Sequence, residues 1–176
     1  MIVLQSARWQ PWRKRMNDYY DIVVVGGGPG GSWAARYAAE TGASVLLLEK
    51  DPVIGIPVRC AEGVSEKGLR SLVTPRKQWI AQIVEGACFF APDGTQVEAY
   101  PDERGYILHR SVFDRELAGL AVAAGASVLT NTFVTGIERD EKKQYQVRVR
   151  FQGKNSTIRC SIVIGADGVE SRVGKW

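Results

Sequence analysis

Residues 21–25 (Asp-Ile-Val-Val-Val) form a short β-branched run without polar alternation and lead straight into the glycine and proline residues 26–31. This is the pattern of a parallel strand covered on both faces. A helix is predicted next, because Ala34, Ala35, Tyr37, Ala38 and Ala39 give a small-residue surface that can lie close to a sheet and Gly42 ends it. Residues 45–49 (Val-Leu-Leu-Leu-Glu) read as a second parallel strand, completing a β-α-β unit. Prolines and glycines over 51–63 predict a long loop of the kind that is usually functional, and 64–72 a short helix.

Further along, 83–90 and 96–100 are β-rich runs on either side of the turn-forming Pro92-Asp93-Gly94-Thr95, so a hairpin is predicted. Ser111 is expected to cap a helix carrying Val112, Phe113, Leu117, Leu120 and Ala121 at helical spacing, stopped by Gly125 and followed by a strand at 127–129. Meander strands are predicted at 133–137 and 145–151, where Tyr145, Val147, Val149 and Phe151 alternate with Gln146, Arg148 and Arg150. A last strand at 161–164 opens into Gly165-Ala166-Asp167-Gly168, with a helix expected after it. No internal repeat or linker marks a second independent domain.

The chemistry lies where the first strand meets the first helix. Gly26, Gly28 and Gly31 make a G-x-G-x-x-G spacing there, and Glu49 ends the next strand. In a dinucleotide-binding unit the first glycine permits the tight turn, the second lets backbone approach a diphosphate, and the third lets helix and strand pack closely. The diphosphate would sit on free amides at the positive end of the helix dipole. An acid at Glu49 accepts hydrogen bonds from ribose hydroxyls and repels a 2′-phosphate, which disfavours NADP at this site. Pro29, Gly30 and Lys50 are counted with these residues as cofactor-binding candidates.

Composition narrows the alternatives. With 45% hydrophobic residues among 176, the chain can bury the core of one ordinary domain. A net charge of +4 neither demands nor excludes a polyanion, but no basic face interleaved with aromatics is evident, so no nucleic-acid partner is expected. Cys60, Cys88 and Cys160 form no metal-ligand or disulfide pattern, which points to a reducing, cytoplasmic setting and no metal site. No apolar run nears the roughly 20 residues that span a bilayer. Residues 1–17, with Arg8, Trp9, Trp12, Arg13, Lys14 and Arg15, read as a disordered basic and aromatic extension ahead of a domain at 18–176. An interfacial anchor on anionic lipid is the alternative, and Met16 is a candidate start.

The fingerprint at 25–32, together with Pro57-Val58-Arg59-Cys60-Ala61-Glu62-Gly63, resembles the geranylgeranyl reductase family. Residues 106–117 match that family's arginine-bearing helix entry, and Gly165-Ala166-Asp167-Gly168-Val169-Glu170-Ser171 its Asp-Gly motif. The segment with Pro57, Cys60 and Gly63 is the specific part; the rest is shared with flavoproteins resembling p-hydroxybenzoate hydroxylase. The resemblance implies an α/β, Rossmann-like FAD-binding fold of that hydroxylase type with β-meander insertions. It implies FAD as cofactor, a prenyl lipid substrate, NADPH or ferredoxin as electron donor, and peripheral membrane contact. It sets Cys60, Ala61 and Gly63 beside the flavin, with Cys60 as the catalytic candidate. Arg110 falls at the diphosphate, the Val134 backbone at adenine, and Asp167 and Gly168 at the loop that holds FAD.

Plainer readings stand beside these. Arg110 at a helix start can bridge phosphate oxygens through its planar fork, or be a surface arginine. Cys60 can be an ordinary buried thiol, and Asp167 a turn former. His109, the one histidine, has no partner in view and is read as structural or solvent-facing. Trp79, Phe89, Phe90 and Tyr100 are read as hairpin packing. Family members continue into a Gly-Asp motif and a lipid cavity, so the chain is read as truncated, lacking the substrate portion, weak in FAD binding and inactive alone. The rival readings are a flavin monooxygenase of the aromatic hydroxylase kind and a non-enzymatic nucleotide-binding module.

Overall fold

A computed structural model describes residues 17–100, 102–141 and 143–176. The expected basic extension therefore lies, except for Asn17, outside the described residues. Eleven strands and three α-helices are described. The first strand, β1 (Tyr19–Val25), and the second, β2 (Val45–Leu48), are joined by helix α1 (Pro29–Glu40). Next come β3 (Gly63–Ser65), α2 (Glu66–Leu72), β4 (Ile80–Val84), β5 (Ala87–Phe90), β6 (Gln96–Ala99) and β7 (Gly105–Leu108). Helix α3 (Arg110–Ala123) leads to β8 (Ser127–Leu129), β9 (Thr132–Arg139), β10 (Tyr145–Phe151) and β11 (Lys154–Gly165).

The main sheet runs in the order β8-β2-β1-β11-β10-β9. Its β8, β2, β1 and β11 are parallel, and β10 and β9 continue it antiparallel as a meander. The parallel part has the strand order of a doubly wound nucleotide-binding sheet, with the reversal of strand order between β1 and β11.

The continuous apolar runs of β1 and β2 follow from burial on both faces. Val24, Val45 and Leu47 pack under Ala35 and Ala39 of α1 and Ala121 of α3, whose short side chains let both helices approach the sheet. On the opposite face Val23, Val25, Leu46 and Leu48 share a core with Val134, Val147, Val149, Ile158 and Cys160. The meander therefore coils back over the face that the helices leave free. This curl delivers the start of β9 to the end of β2, where Thr132 N–H donates to the Glu49 carbonyl at 2.8 Å. A third core, of Leu69, Trp79, Tyr106, Leu108, Phe113 and Leu117, joins the small sheet β3-β7-β4 to α3.

Several expectations need correction. The run 83–90 is not one strand. It breaks at Gly86, where a Cβ would lie 2.5 Å from the Tyr100 ring, so β4 joins β7 while β5 pairs only with β6. Trp79 does not pack the hairpin. It lies edge-on to Phe113 at 5.2 Å, and its Nε1–H donates to Glu116 at 2.8 Å. Phe89, Phe90 and Tyr100 are 60%, 72% and 74% exposed, so the β5–β6 hairpin buries none of them. Helix α3 begins at Arg110 with His109, not Ser111, in the cap position. After Gly168 only a 3-10 turn forms, Val173–Lys175.

The glycine fingerprint separates into packing and clearance. A Cβ on Gly31 would lie 1.8 Å from the Gly26 carbonyl oxygen, whereas one on Gly30 meets nothing within 4 Å. Gly31→Ala is expected to cost about 3 kcal/mol in urea unfolding because backbone must separate. Gly30→Ala is expected to stay within about 1 kcal/mol of the parent.

Candidate cofactor site

A cleft of about 680 Å³ opens at the carboxyl ends of β1 and β2, beside the point where the strand order reverses. At its floor, Gly28 takes the cap position of α1 with no side-chain cap, and Pro29 fills the first helical turn. Helical geometry leaves the amides of Gly30 and Gly31 without a carbonyl one turn earlier. A Cβ on Gly28 or Gly30 would meet nothing within 4 Å, so the turn leaves open space there. Gly26, with φ +107°, is the packing residue: a Cβ would lie 2.3 Å from the Ala166 carbonyl oxygen.

Glu49, nearly buried, closes one end. Its Oε2 accepts the Gly27 N–H at 2.6 Å and its Oε1 the Asp51 N–H at 2.8 Å. The carboxylate thus ties the glycine turn to the loop beyond β2. Each oxygen keeps a lone pair for a hydroxyl in the cleft. Lys50, Thr132, Phe133 and Val134 line the cleft around it. Such an end suits a ribose and a flat base, and the open glycine turn suits a diphosphate, so the residues present fit an FAD-type dinucleotide.

The other end carries Pro57, Val58, Arg59, Cys60, Arg110, Asp167 and Gly168. Cys60 is exposed, not buried, and its Sγ accepts the Glu62 N–H at 3.3 Å. Arg110 reaches the cleft wall from the first turn of α3, but its fork is already occupied. Nε and Nη2 each donate to an oxygen of the buried Asp114 at 2.8 Å. The edge formed by Nε and Nη2 is thus taken by Asp114, and the rest of the guanidinium lies beside Cys60. The Asp114 hydrogen bonds outweigh partial desolvation and raise the Arg110 pKa above its ordinary value, with smaller help from Cys60.

Partial burial opposes ionisation of Asp167. Hydrogen bonds from the Ser171 hydroxyl and the Arg172 and Val173 amides outweigh it and hold the pKa below the usual aspartate value. Both Asp167 oxygens thus fold the chain that follows, which is why a tight turn replaces the expected helix.

Among the predicted residues, Gly26, Gly28, Glu49, Lys50, Cys60, Arg110, Val134, Asp167 and Gly168 line this one cleft. Pro29, Gly30 and Gly31 form the α1 start beneath it. Ala61 and Gly63 are not on its wall, because Gly63 pairs with Ile107 in the small sheet. His109 is exposed and caps α3 through its backbone. Asp114, Phe133 and Arg172 were missed. Of these, only Asp114 left a signal, its spacing of four from Arg110.

Taken together, the strand order, the glycine turn and the acid at the end of β2 define a dinucleotide-binding α/β protein. The chain belongs to the FAD dependent oxidoreductase family, whose model matches residues 21–169. It is 49% identical over 165 residues to the digeranylgeranylglycerophospholipid reductase of Methanosarcina mazei, covering 92% of this chain and 40% of that protein. It is also similar to the solved geranylgeranyl bacteriochlorophyll reductase-like protein of Thermoplasma acidophilum. That match has 39% identity and a TM-score of 0.80, and covers 90% of this chain and 41% of the other. The aklavinone-11 hydroxylase solved with FAD and aklavinone shares the fold alone, at 20% identity and TM-score 0.70, covering 91% of this chain and 35% of its own. The chain thus spans about 40% of the length of the curated relatives it matches.

The three cysteines should differ in reactivity. Cys160 is fully buried, and burial pushes its thiol up to about 11, whereas Cys60 and Cys88 are exposed. A colorimetric thiol reagent is expected to titrate two thiols in the folded protein, one of them lost in Cys60→Ser, and the third only after unfolding. Because the folded Cys160 holds its proton more tightly than the unfolded chain does, its contribution to stability is full below the ordinary value of 9.0 and is lost as pH rises through about 11.

Proposed function

We propose that this chain is the FAD-holding portion of a reductase that saturates the double bonds of geranylgeranyl chains, as on an archaeal-type membrane lipid. The observation that carries the reading is the continuous cleft from Glu49, across the open glycine turn, to Cys60 and Arg110. Bound there, FAD supplies hydride chemistry. The chain's own work is to place and shield it. Backbone amides at the α1 start receive the diphosphate, Glu49 accepts the ribose hydroxyls, and the Val134 backbone borders the adenine. The Pro57–Cys60 segment covers the ring system, with Cys60 the candidate catalytic side chain, and Gly168 lets the Asp167 loop approach closely.

A prenyl lipid as substrate follows from the similarity to reductases named for one. The exposed apolar side chains Ile56, Val58 and Val169 at the cleft suit an isoprenoid or ring system better than a polar substrate. NADPH or ferredoxin would supply electrons, and a substrate of this kind calls for peripheral contact with a membrane. Among the described residues, no helix is long and apolar enough to cross one.

Two experiments test this. Quenching of flavin fluorescence should report one FAD per chain, bound weakly. Gly28→Val should weaken binding more than about tenfold with unchanged thermal melting, since its side chain would enter open space that the fold does not use. Unaltered FAD affinity in Gly28→Val would contradict the placement of the diphosphate. For the chemistry, a chimera carrying this chain in place of the matching portion of the Methanosarcina mazei relative should add two hydrogens per geranylgeranyl double bond by mass spectrometry. Binding of FAD without any alkene saturation by the chimera would refute the substrate assignment and leave the cofactor assignment standing.

A further inference from the structure

Among the described residues the buried side-chain carboxylates are Glu49 and Asp114, and both line the cleft. Glu49 belongs to the dinucleotide fingerprint. Asp114 lies within the 106–117 segment but has no role assigned to it there, yet it is only 4% exposed, and both its oxygens are spent on Arg110.

Helix stability does not account for this pair. A cation in the first turn opposes the helix dipole, and α3 has no acid in that turn to offset it. Arginine preceding its acid partner by four residues is also the less favourable orientation of such a pair on a helix. A chain selecting only for a stable α3 would reverse the two residues. The surroundings are instead built to hold them in place. Gly55, at φ +82°, lies so close to the start of α3 that a Cβ would come within 2.8 Å of the Arg110 carbonyl oxygen and 3.2 Å of the Asp114 Cβ. The loop beyond β2 is thereby pressed against the pair.

A guanidinium is planar, and each of its edges presents a fixed pair of donors. With Nε and the inner hydrogen of Nη2 held by Asp114, the donors left for a ligand are those of Nη1 and the outer hydrogen of Nη2, which point away from the carboxylate and have Cys60 as their neighbour at the cleft wall. We propose that Asp114 is the positioning residue of Arg110: it locks the guanidinium against the wall so that its outer edge is presented to the anionic linker of the bound dinucleotide. The flexible arginine stem then loses its freedom on folding and not on binding, which is what preorganisation contributes to affinity. This assignment rests on the reading of the cleft as an FAD site.

Fluorescence titration with FAD is done on the whole chain as wild type, Asp114→Asn, Arg110→Gln and the double variant, with thermal melting recorded for each. A wild type that binds no FAD overturns the reading of the cleft itself. Given wild-type binding, Asp114→Asn is expected to weaken FAD at least about tenfold where Arg110 is present, and less than about twofold where Arg110 is already glutamine, since nothing then remains to be oriented. Equal losses in both backgrounds, as a general structural role for Asp114 would give, overturn the proposal, and so does no loss in either. Asp114→Glu keeps the charge but shifts the carboxylate by one methylene, so it covers the case in which Asp114→Asn does not fold. Weakened FAD binding at an unchanged melting temperature is expected for it, and wild-type affinity would overturn the assignment.

Discussion

Three stretches of backbone converge where β1 ends, with no room among them for one additional carbon. A Cβ on Gly26 would sit 2.3 Å from the Ala166 carbonyl oxygen, and one on Gly31 1.8 Å from that of Gly26. This contact clamps the end of β1, the start of α1 and the end of β11 into one unit, reinforced by Gly26 N–H donating to Leu48 and Ala166 N–H donating to Val25. Because the three ends are fixed together, the Gly26–Gly28 turn that opens α1 and the Asp167–Gly168 loop line the same cleft. A looser junction would leave each able to drift by the ångström or so that separates a hydrogen bond from none.

The remaining walls come from sequence-distant segments, each brought in by a different force. Burial of Val134, Val147 and Val149 against Leu46 and Leu48 curls the meander over the sheet and carries Thr132 and Phe133 to the Glu49 end. The third core seats α3 so that Arg110 reaches the other end, and Gly55 fits the loop beyond β2 against it. Glu49 then joins loop to loop through its two amide bonds. Hydrophobic burial thus sets the coarse positions, and short polar contacts set the final ones.

What was legible in the chain follows from how local each cause is. The β-α-β unit, the packing glycines and the alternating strand β10 depend on neighbours within a few turns of chain, and their residue pattern carries that information. The break at Gly86 depends on Tyr100, fourteen positions away, and was not visible. The short strands β3 and β7 pair across forty residues or more, and neither has a pattern of its own. Phe89, Phe90 and Tyr100 illustrate a different limit, since aromatic content states how much surface is available to cover but not whether anything covers it. Arg110 lines the cleft, but its spacing from Asp114 could not reveal that both were withdrawn from solvent. That burial turns a surface pair into a fixed one.

The charges of the cleft constrain how it recognises a ligand. Glu49, Asp51, Asp114, Asp167 and Glu170 line it against Lys50, Arg59, Arg110 and Arg172, so five acids face four bases. The cleft has no surplus of positive charge with which to attract a diphosphate, and Arg59 and Arg110 are each already paired with an acid. Recognition of an anion there would therefore have to come from direction: the start of α1, which has no side-chain cap, and a guanidinium edge held at a set angle. Donors of this kind favour an anion by geometry and are screened less by salt than a diffuse basic patch would be. The same balance lets acids sit so close to the glycine turn. Glu49 accepts from two amides, Asp167 from two amides and the Ser171 hydroxyl, and Asp114 is paired with Arg110.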